Sequence, residues 1–298
     1  MKKKPSVIID KIFKVIVSVL MILYAVSLMI PLVWMLYSSL KPYDEYLLYT
    51  FQLPKTVSFS NYADVLRKLT YEVTKTGVGT IRYGIGSMLI YSFVWSCSTN
   101  LLSTFVLATT SYVISRYRFP GKNFLYSLGI VLMITPIIGT GPASLRLHKI
   151  IGMYDNMFLK IVIESLTGHF YGFSFILLYG AWKGISWHYA EAAFIDGATN
   201  LRVYVNVMFP LIVPTCTVIF ILGFLTSWND YMTFINWLPS YPSLAVGMYM
   251  FQYRSSQYNA GMPVILAGFT FAALPTAIMY LVSQKVIMAK LNVGGLKG

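Results

Sequence analysis

Glu191-Ala192-Ala193, followed by Asp196-Gly197-Ala198, sets two carboxylates in a short alanine-rich stretch between long apolar runs. Alanine leaves a slim surface that another protein can approach closely, and the carboxylates are then free for contact with it. A second polar set, Asn229, Asp230, Tyr231 and Asn236, lies among aromatic residues. Such a mixture hydrogen-bonds hydroxyl groups and stacks on apolar ring faces, and an acid inside an apolar run faces a polar cavity or a partner. Lys160 and Glu164 stand four apart, close enough to pair on one helical face, and His169 and Ser174 follow them. Covalent chemistry has no support. The chain has no G-x-x-x-x-G-K-[ST] phosphate loop, no H-E-x-x-H and no G-x-S-x-G elbow. His148, His169 and His188 are dispersed, and Cys97 and Cys216 sit inside apolar segments. No enzyme activity, metal or cofactor is expected of the chain itself.

The scaffold that positions these residues is a membrane one. Of 298 residues, 57% are hydrophobic and 11% are charged, against about 25% charged in ordinary soluble domains. The net charge of +13 is scattered over loops and ends. No basic stripe interleaves with exposed aromatics, so nucleic acid is not an expected partner and anionic membrane lipids are. About six runs are long enough to cross a bilayer, which takes about 20 residues each: residues 15–37, 84–115, 124–138, 161–182, 212–238 and 263–286. The first is too long for a signal-peptide core and lacks a cleavage site after it, so it reads as a retained span. Lys2, Lys3, Lys4, Arg116, Arg118, Lys122, Lys183, Arg202 and Lys285 then place both termini in the cytoplasm. Arg67, Lys68, Lys75 and Arg82 fall outside, in a long loop where charge constrains topology less.

The expected fold is all-α and polytopic, one transmembrane domain over residues 1–298. It has an outer loop at 41–83, a cytoplasmic loop at 184–210 and a tail at 287–298. In the outer loop Ser60 caps a helix with Tyr62, Val65, Leu66 and Leu69 on one face. That helix either packs on the bundle or meets an external partner.

Residues 184–214 read GISWHYAEAAFIDGATNLRVYVNVMFPLIVP. Ser186 suits a helix start, Gly197 a turn at positive φ, and Asn200 opens a second helix. Pro210 and Pro214 bracket the entry to the fifth span. This pattern resembles the signature loop of ATP-binding-cassette (ABC) importer permeases, with Ser186 where the family usually carries proline. Ser39-Leu40-Lys41, Pro54, Asn61-Tyr62, Tyr112, Arg116, Phe119, Gly121, Trp228-Asn229-Asp230 and the glycine- and lysine-containing tail are similar to the maltose-transporter-type, carbohydrate-uptake branch.

The resemblance implies a type I importer permease fold in a bacterial inner membrane. It implies a homologous second permease subunit, a dimeric ATPase that binds ATP and Mg, and an extracytoplasmic sugar-binding protein. Glu191, Ala192, Ala193, Asp196, Gly197, Ala198 and Pro210 would then couple the chain to the ATPase. The candidate cargo path is Asn229, Asp230, Tyr231, Asn236, His169 and Ser174. Tyr231, with Trp237 and Tyr241, fits an interfacial aromatic belt better, and the fourth-span polar groups fit contact with the second permease equally well. A glycerophosphodiester cargo would call for basic residues in the spans, which are few. A stand-alone secondary transporter would show inverted repeats, and none stands out.

Overall fold

A computed structural model describes residues 5–75, 77, 79–135, 141–167, 172–255 and 260–291. Helices α1 (Pro5–Ser38), α2 (Tyr43–Leu48) and α3 (Ser60–Lys68) lead into a hairpin of β1 (Thr70–Lys75) and β2 (Gly79–Gly84). Five helices follow: α4 (Ile85–Arg116), α5 (Lys122–Ile134), α6 (Gly141–Ile150), α7 (Met157–Thr167) and α8 (Phe173–Gly184). Then come α9 (His188–Ile195) and α10 (Asn200–Val203), which continues through a π turn (Tyr204–Met208) into α11 (Phe209–Trp228). Helices α12 (Met232–Trp237), α13 (Leu244–Tyr253) and α14 (Met262–Leu291) follow.

Four segments among the described residues are long and apolar enough to cross a membrane: Asp10–Ser38, Ile85–Arg116, Asn200–Trp228 and Met262–Lys285. The expected third span is the shorter apolar helix Lys122–Ile134. The expected fourth divides into α7 and α8, with residues 168–171 outside the described set. Helix α8 begins after Gly172, which sits at φ +104° where a side chain would be strained. The fifth was expected to reach residue 238, yet α11 stops at Trp228. Its start also differs: α10, the π turn and α11 form one helix from Asn200, with Pro210 in the first turn of α11 and Pro214 farther along it. Neither proline can donate to the carbonyl four residues back, and the wider π turn lies just before them.

The chain's packing falls into two units, residues 1–69 with 250–273, and residues 70–249 with 274–298. In the first, a polar lock joins sequence features that are far apart. Lys41 is buried, and its Nζ donates to the carbonyls of Tyr49 (2.7 Å) and Thr50 (3.1 Å). Asn61 Nδ2 donates to the carbonyls of Ser39 (2.7 Å) and Lys41 (2.8 Å), and Tyr62 OH bonds Ser39 Oγ at 2.7 Å. Burial pushes the Lys41 ammonium below the ordinary lysine value, with the Glu45 carboxylate opposing. The N–H of Lys55 and then of Thr56 hold Glu45 below the usual carboxylate range.

Helix α3 forms where expected, but Ser60 is its first residue and not its cap, and bonds Ser58 Oγ instead. Asn61, Val65 and Leu69 point inward while Leu66 stays exposed. The requirement to bury Asn61 against the lock sets that face. The hairpin is a strand element in an otherwise helical chain. Tyr71 pairs with Tyr83 and Val73 with Ile81, and Gly77 and Gly79 take positive φ around the turn.

In the second unit, α4 is the spine, packed by α7, α8 and α11. Small and polar residues hold these apolar helices together, as expected where lipid offers no competing hydrophobic drive. Asn100 Nδ2 donates to Ser227 Oγ (2.9 Å), Ser92 Oγ accepts from Leu244 N (2.8 Å), and Ser103 Oγ donates to Ser165 Oγ (3.4 Å). Gly223 makes room for this seam, since a Cβ there would sit 2.1 Å from Asn100 Oδ1.

Candidate functional site

The stretch from α8 to α11 forms an elbow. Helix α9 starts at His188 with Trp187 at the cap, so Ser186 lies one position too early, its Oγ accepting from His188 N at 3.4 Å. At the other end, Ala198 N donates to Ala193 O and Gly197 N to Phe194 O, both at 3.0 Å. This pair of bonds closes a helix through a left-handed residue, and Gly197 supplies it at φ +80°. Thr199 Oγ1 accepts from Arg202 N at 3.4 Å and opens α10.

One side of the elbow is core. Ala190, Val203, Tyr204 and Met208 are buried in one cluster with Tyr112, Leu178 and Trp182. The Tyr112 ring lies 4.8 Å from both Trp182 and Tyr204. Trp182 Nε1 donates to Ala108 O (3.0 Å), and Thr109 Oγ1 bonds Tyr204 OH (2.8 Å). Arg116 Nη2 donates to the carbonyls of Trp182 and Ile185, and its guanidinium lies 5.6 Å from the centre of the Trp187 ring.

The other side is open. Glu191, Ala192, Asp196, Gly197 and Pro210 are exposed, and Ala193 and Ala198 are half-buried. Tyr189, Ile195 and Leu201 stand out beside the acids, Ile195 at 86% exposure and Leu201 at 72%. Glu191 Oε2 meets His188 Nδ1 at 2.8 Å. The elbow thus carries large apolar side chains flanked by carboxylates on its open side and a buried base on the other. The sequence reading named the acids and alanines but missed Ile195 and Leu201. Their signal was the inward register set by Ala190 and Val203, which leaves both pointing out.

The second candidate set lies at the far end of α11, about 30 Å from the elbow at 1.5 Å per residue. Asn229 Nδ2 donates back to Leu225 O (2.8 Å), which ends the helix. Asp230 Oδ1 then accepts from Thr233 N (3.0 Å) in the first turn of α12, one residue ahead of the cap position at Tyr231, so this acid lies in the turn between α11 and α12. Tyr231 stacks on Tyr249, with ring centres 4.6 Å apart, and Asn236 is exposed. Ser174 is half-buried in the first turn of α8, a separate element, and His169 lies outside the described residues.

The aromatics expected as a belt pair within the fold. Trp237 lies 4.4 Å from His148 and Tyr241 lies 5.5 Å from Tyr91. Around Trp237 a polar knot forms. Lys160, at 1% exposure, donates to Glu164 and sits 5.3 Å from the Trp237 ring centre. Asp155, at φ +55°, accepts from Ser240 N (2.8 Å) and Oγ (2.5 Å).

A profile of the family described as binding-protein-dependent transport system inner membrane component matches residues 101–292. The diacetylchitobiose uptake system permease protein of Streptomyces coelicolor is 26% identical over 96% of this chain and 89% of its own length. The galactooligosaccharides transport system permease protein of Bacillus subtilis is 26% identical over 92% of each. Among solved structures, a chain of a bacterial ABC transporter that imports the acidic polysaccharide alginate superposes with a TM-score of 0.75. Its identity is 20%, covering 96% of this chain and 99% of that one. At that identity the likeness is one of fold.

Proposed function

Because the chain belongs to the family of binding-protein-dependent transport system inner membrane components, we propose that it forms part of the membrane pathway of an ATP-driven importer of carbohydrate. The cargo class is supported by the relatives, whose names specify oligosaccharides. In this reading a homologous second permease completes the pathway. A dimeric ATPase binds and hydrolyses ATP, and an extracytoplasmic binding protein delivers the sugar. Both termini and the elbow face the cytoplasm, as the distribution of lysine and arginine favours.

The observation that carries the reading is the two-sided elbow. Ala190 is fully buried while Glu191 and Ile195 on the same short helix are exposed. A motor subunit that seats α9 in a cleft can grip the acids and apolar side chains and push on a base that does not yield. ATP binding would turn the cavity outward, and hydrolysis would reset it.

The test is reconstitution of the four-component transporter with Glu191→Lys or Gly197→Val in this chain. A charge-assisted contact is worth about 1.5–3 kcal/mol, so Glu191→Lys should weaken ATPase docking at least roughly tenfold. Valine at +80° should cost about 1–3 kcal/mol locally and misdirect the elbow. Sugar uptake should fall in both, with membrane insertion intact. Normal uptake in both would refute the assignment.

A further inference from the structure

We propose that Arg116 is the positioning residue that makes the elbow and α4 one moving block, so that a push on α9 reaches the long spine helix without being absorbed at the loop's root. The inference rests on the elbow being the motor's docking surface, and it adds where the displacement goes next.

The root of the elbow, residues 185–187, joins α8, which ends at Gly184, to α9: Ile185 N donates to Trp182 O (3.3 Å), and Trp187 O accepts the first bonds of α9. Regular helix is interrupted between them, which makes this joint the hinge. The carbonyls of Trp182 and Ile185 lie at this end, where a helix runs out of its full set of intrahelical donors. Arg116, the last residue of α4, donates Nη2 to both, and its guanidinium also covers Trp187. The contact thus holds Trp182 on the α8 side together with Ile185 and Trp187 within the hinge. A planar guanidinium can make this contact, and a lysine ammonium, a point charge on a flexible stem, cannot reproduce it.

The remaining ties run the same way. Trp182 Nε1 reaches Ala108, Tyr204 OH reaches Thr109, and the Tyr112 ring wedges between Trp182 and Tyr204. All of these land on residues 108–116, the last third of α4. That helix then continues through the Asn100–Ser227 bond toward its other end, where Ser92 holds α13.

The test uses the full reconstituted transporter with Arg116→Met, Arg116→Lys and Glu191→Lys compared side by side. For Arg116→Met, the ATPase should co-purify in its normal ratio and hydrolyse ATP within about twofold of the parent. Sugar moved per ATP should fall roughly tenfold, the scale set by losing a charge-assisted clamp. Arg116→Lys should recover less than half of that loss. Unchanged sugar per ATP in Arg116→Met would overturn the proposal. So would a parallel fall in docking, hydrolysis and uptake, which marks a merely structural role.

Should Arg116→Met fail to assemble, spin labels at Arg118→Cys and Arg202→Cys in a Cys97→Ser, Cys216→Ser chain give a second reading, both positions being exposed and outside the surface the motor grips. Their separation should be the same without nucleotide and with ATP bound. A shift larger than the width of the distance distribution would refute the single block. Glu191→Lys keeps the two ideas apart. Normal docking and uptake in that variant would sink the elbow reading itself, whereas loss there with a normal Arg116→Met sinks only the clamp.

Discussion

The elbow and the turn after α11 lie at opposite ends of one continuous helix and treat their polar groups in opposite ways. At the elbow the apolar base is buried, and Glu191, Asp196, Ile195 and Leu201 are held outward. At the far end the fold uses its own polar groups. Asp230 binds the first turn of α12, Asn229 ends α11, Asp155 binds Ser240, and Lys160 binds Glu164. One region leaves its polar groups exposed, and the other spends them on internal geometry. A polar residue near the end of a span therefore has a structural use to be discounted before it is given to a solute.

The comparison can be broken most directly at the two tryptophans. Trp182 is fully buried and Trp237 half-buried. Trp182→Ala should cost about 3–5 kcal/mol, the usual range for a buried aromatic, and Trp237→Ala distinctly less. Thermal unfolding in detergent reads both. An equal or larger loss at Trp237 would make the far end the more rigid region.

A smaller effect is expected at Lys160 and Glu164. The lysine side chain is 2% exposed and the glutamate 38%. Breaking a fully buried pair costs about 3–5 kcal/mol, and the exposed carboxylate reduces this to roughly 1–3 kcal/mol for Glu164→Gln. Lys160→Met combined with Glu164→Leu should cost less than the two single losses summed, because no unpaired charge remains buried. Additive losses would mean that the ions act independently. Asp155→Gly keeps the backbone relaxed at φ +55° while removing two bonds to Ser240. It should cost about 1–3 kcal/mol, and no loss of melting temperature would show that the Ser240 contact contributes nothing.

Sequence alone revealed the elbow because its determinants are local. The need for a glycine at position 197, the cap before Asn200 and the alternation of slim and acidic residues all fall within one short stretch. Long hydropathy runs likewise marked α1, α4, α11 and α14. The hairpin was hidden because its alternation, Tyr71-Val73 against Ile81-Tyr83, is brief and sits in a charged loop. The lock in the first unit was illegible as a lock. Ser39-Leu40-Lys41 and Asn61-Tyr62 were visible as separate matches, but only folding brings Asn61 onto the carbonyls of Ser39 and Lys41. The sequence reading carried the fifth span past the end of α11 because Met232, Phe234, Ile235, Trp237 and Leu238 resume an apolar run after a short polar break. Asn229 and Asp230 were themselves the stop and start signals, residues that favour caps over helix interiors.

Asp230 is where the comparison is sharpest, because its two roles predict opposite results for one substitution. In the turn, its Oδ1 accepts from Thr233 N as a cap side chain does, and Asp230→Ala should lose about 1 kcal/mol. Asparagine caps nearly as well as aspartate, so Asp230→Asn should melt within a few tenths of a kcal/mol of the parent. If the carboxylate also meets cargo, Asp230→Asn should lower uptake while stability and ATPase docking hold. If the residue only shapes the turn, Asp230→Asn transports normally and Asp230→Ala loses assembly and uptake together. The fold favours the second outcome, since the acid is already engaged within its own turn. A transport defect in Asp230→Asn with stability and ATPase docking unchanged would move the α11–α12 turn from the internally satisfied class to the outward-facing one.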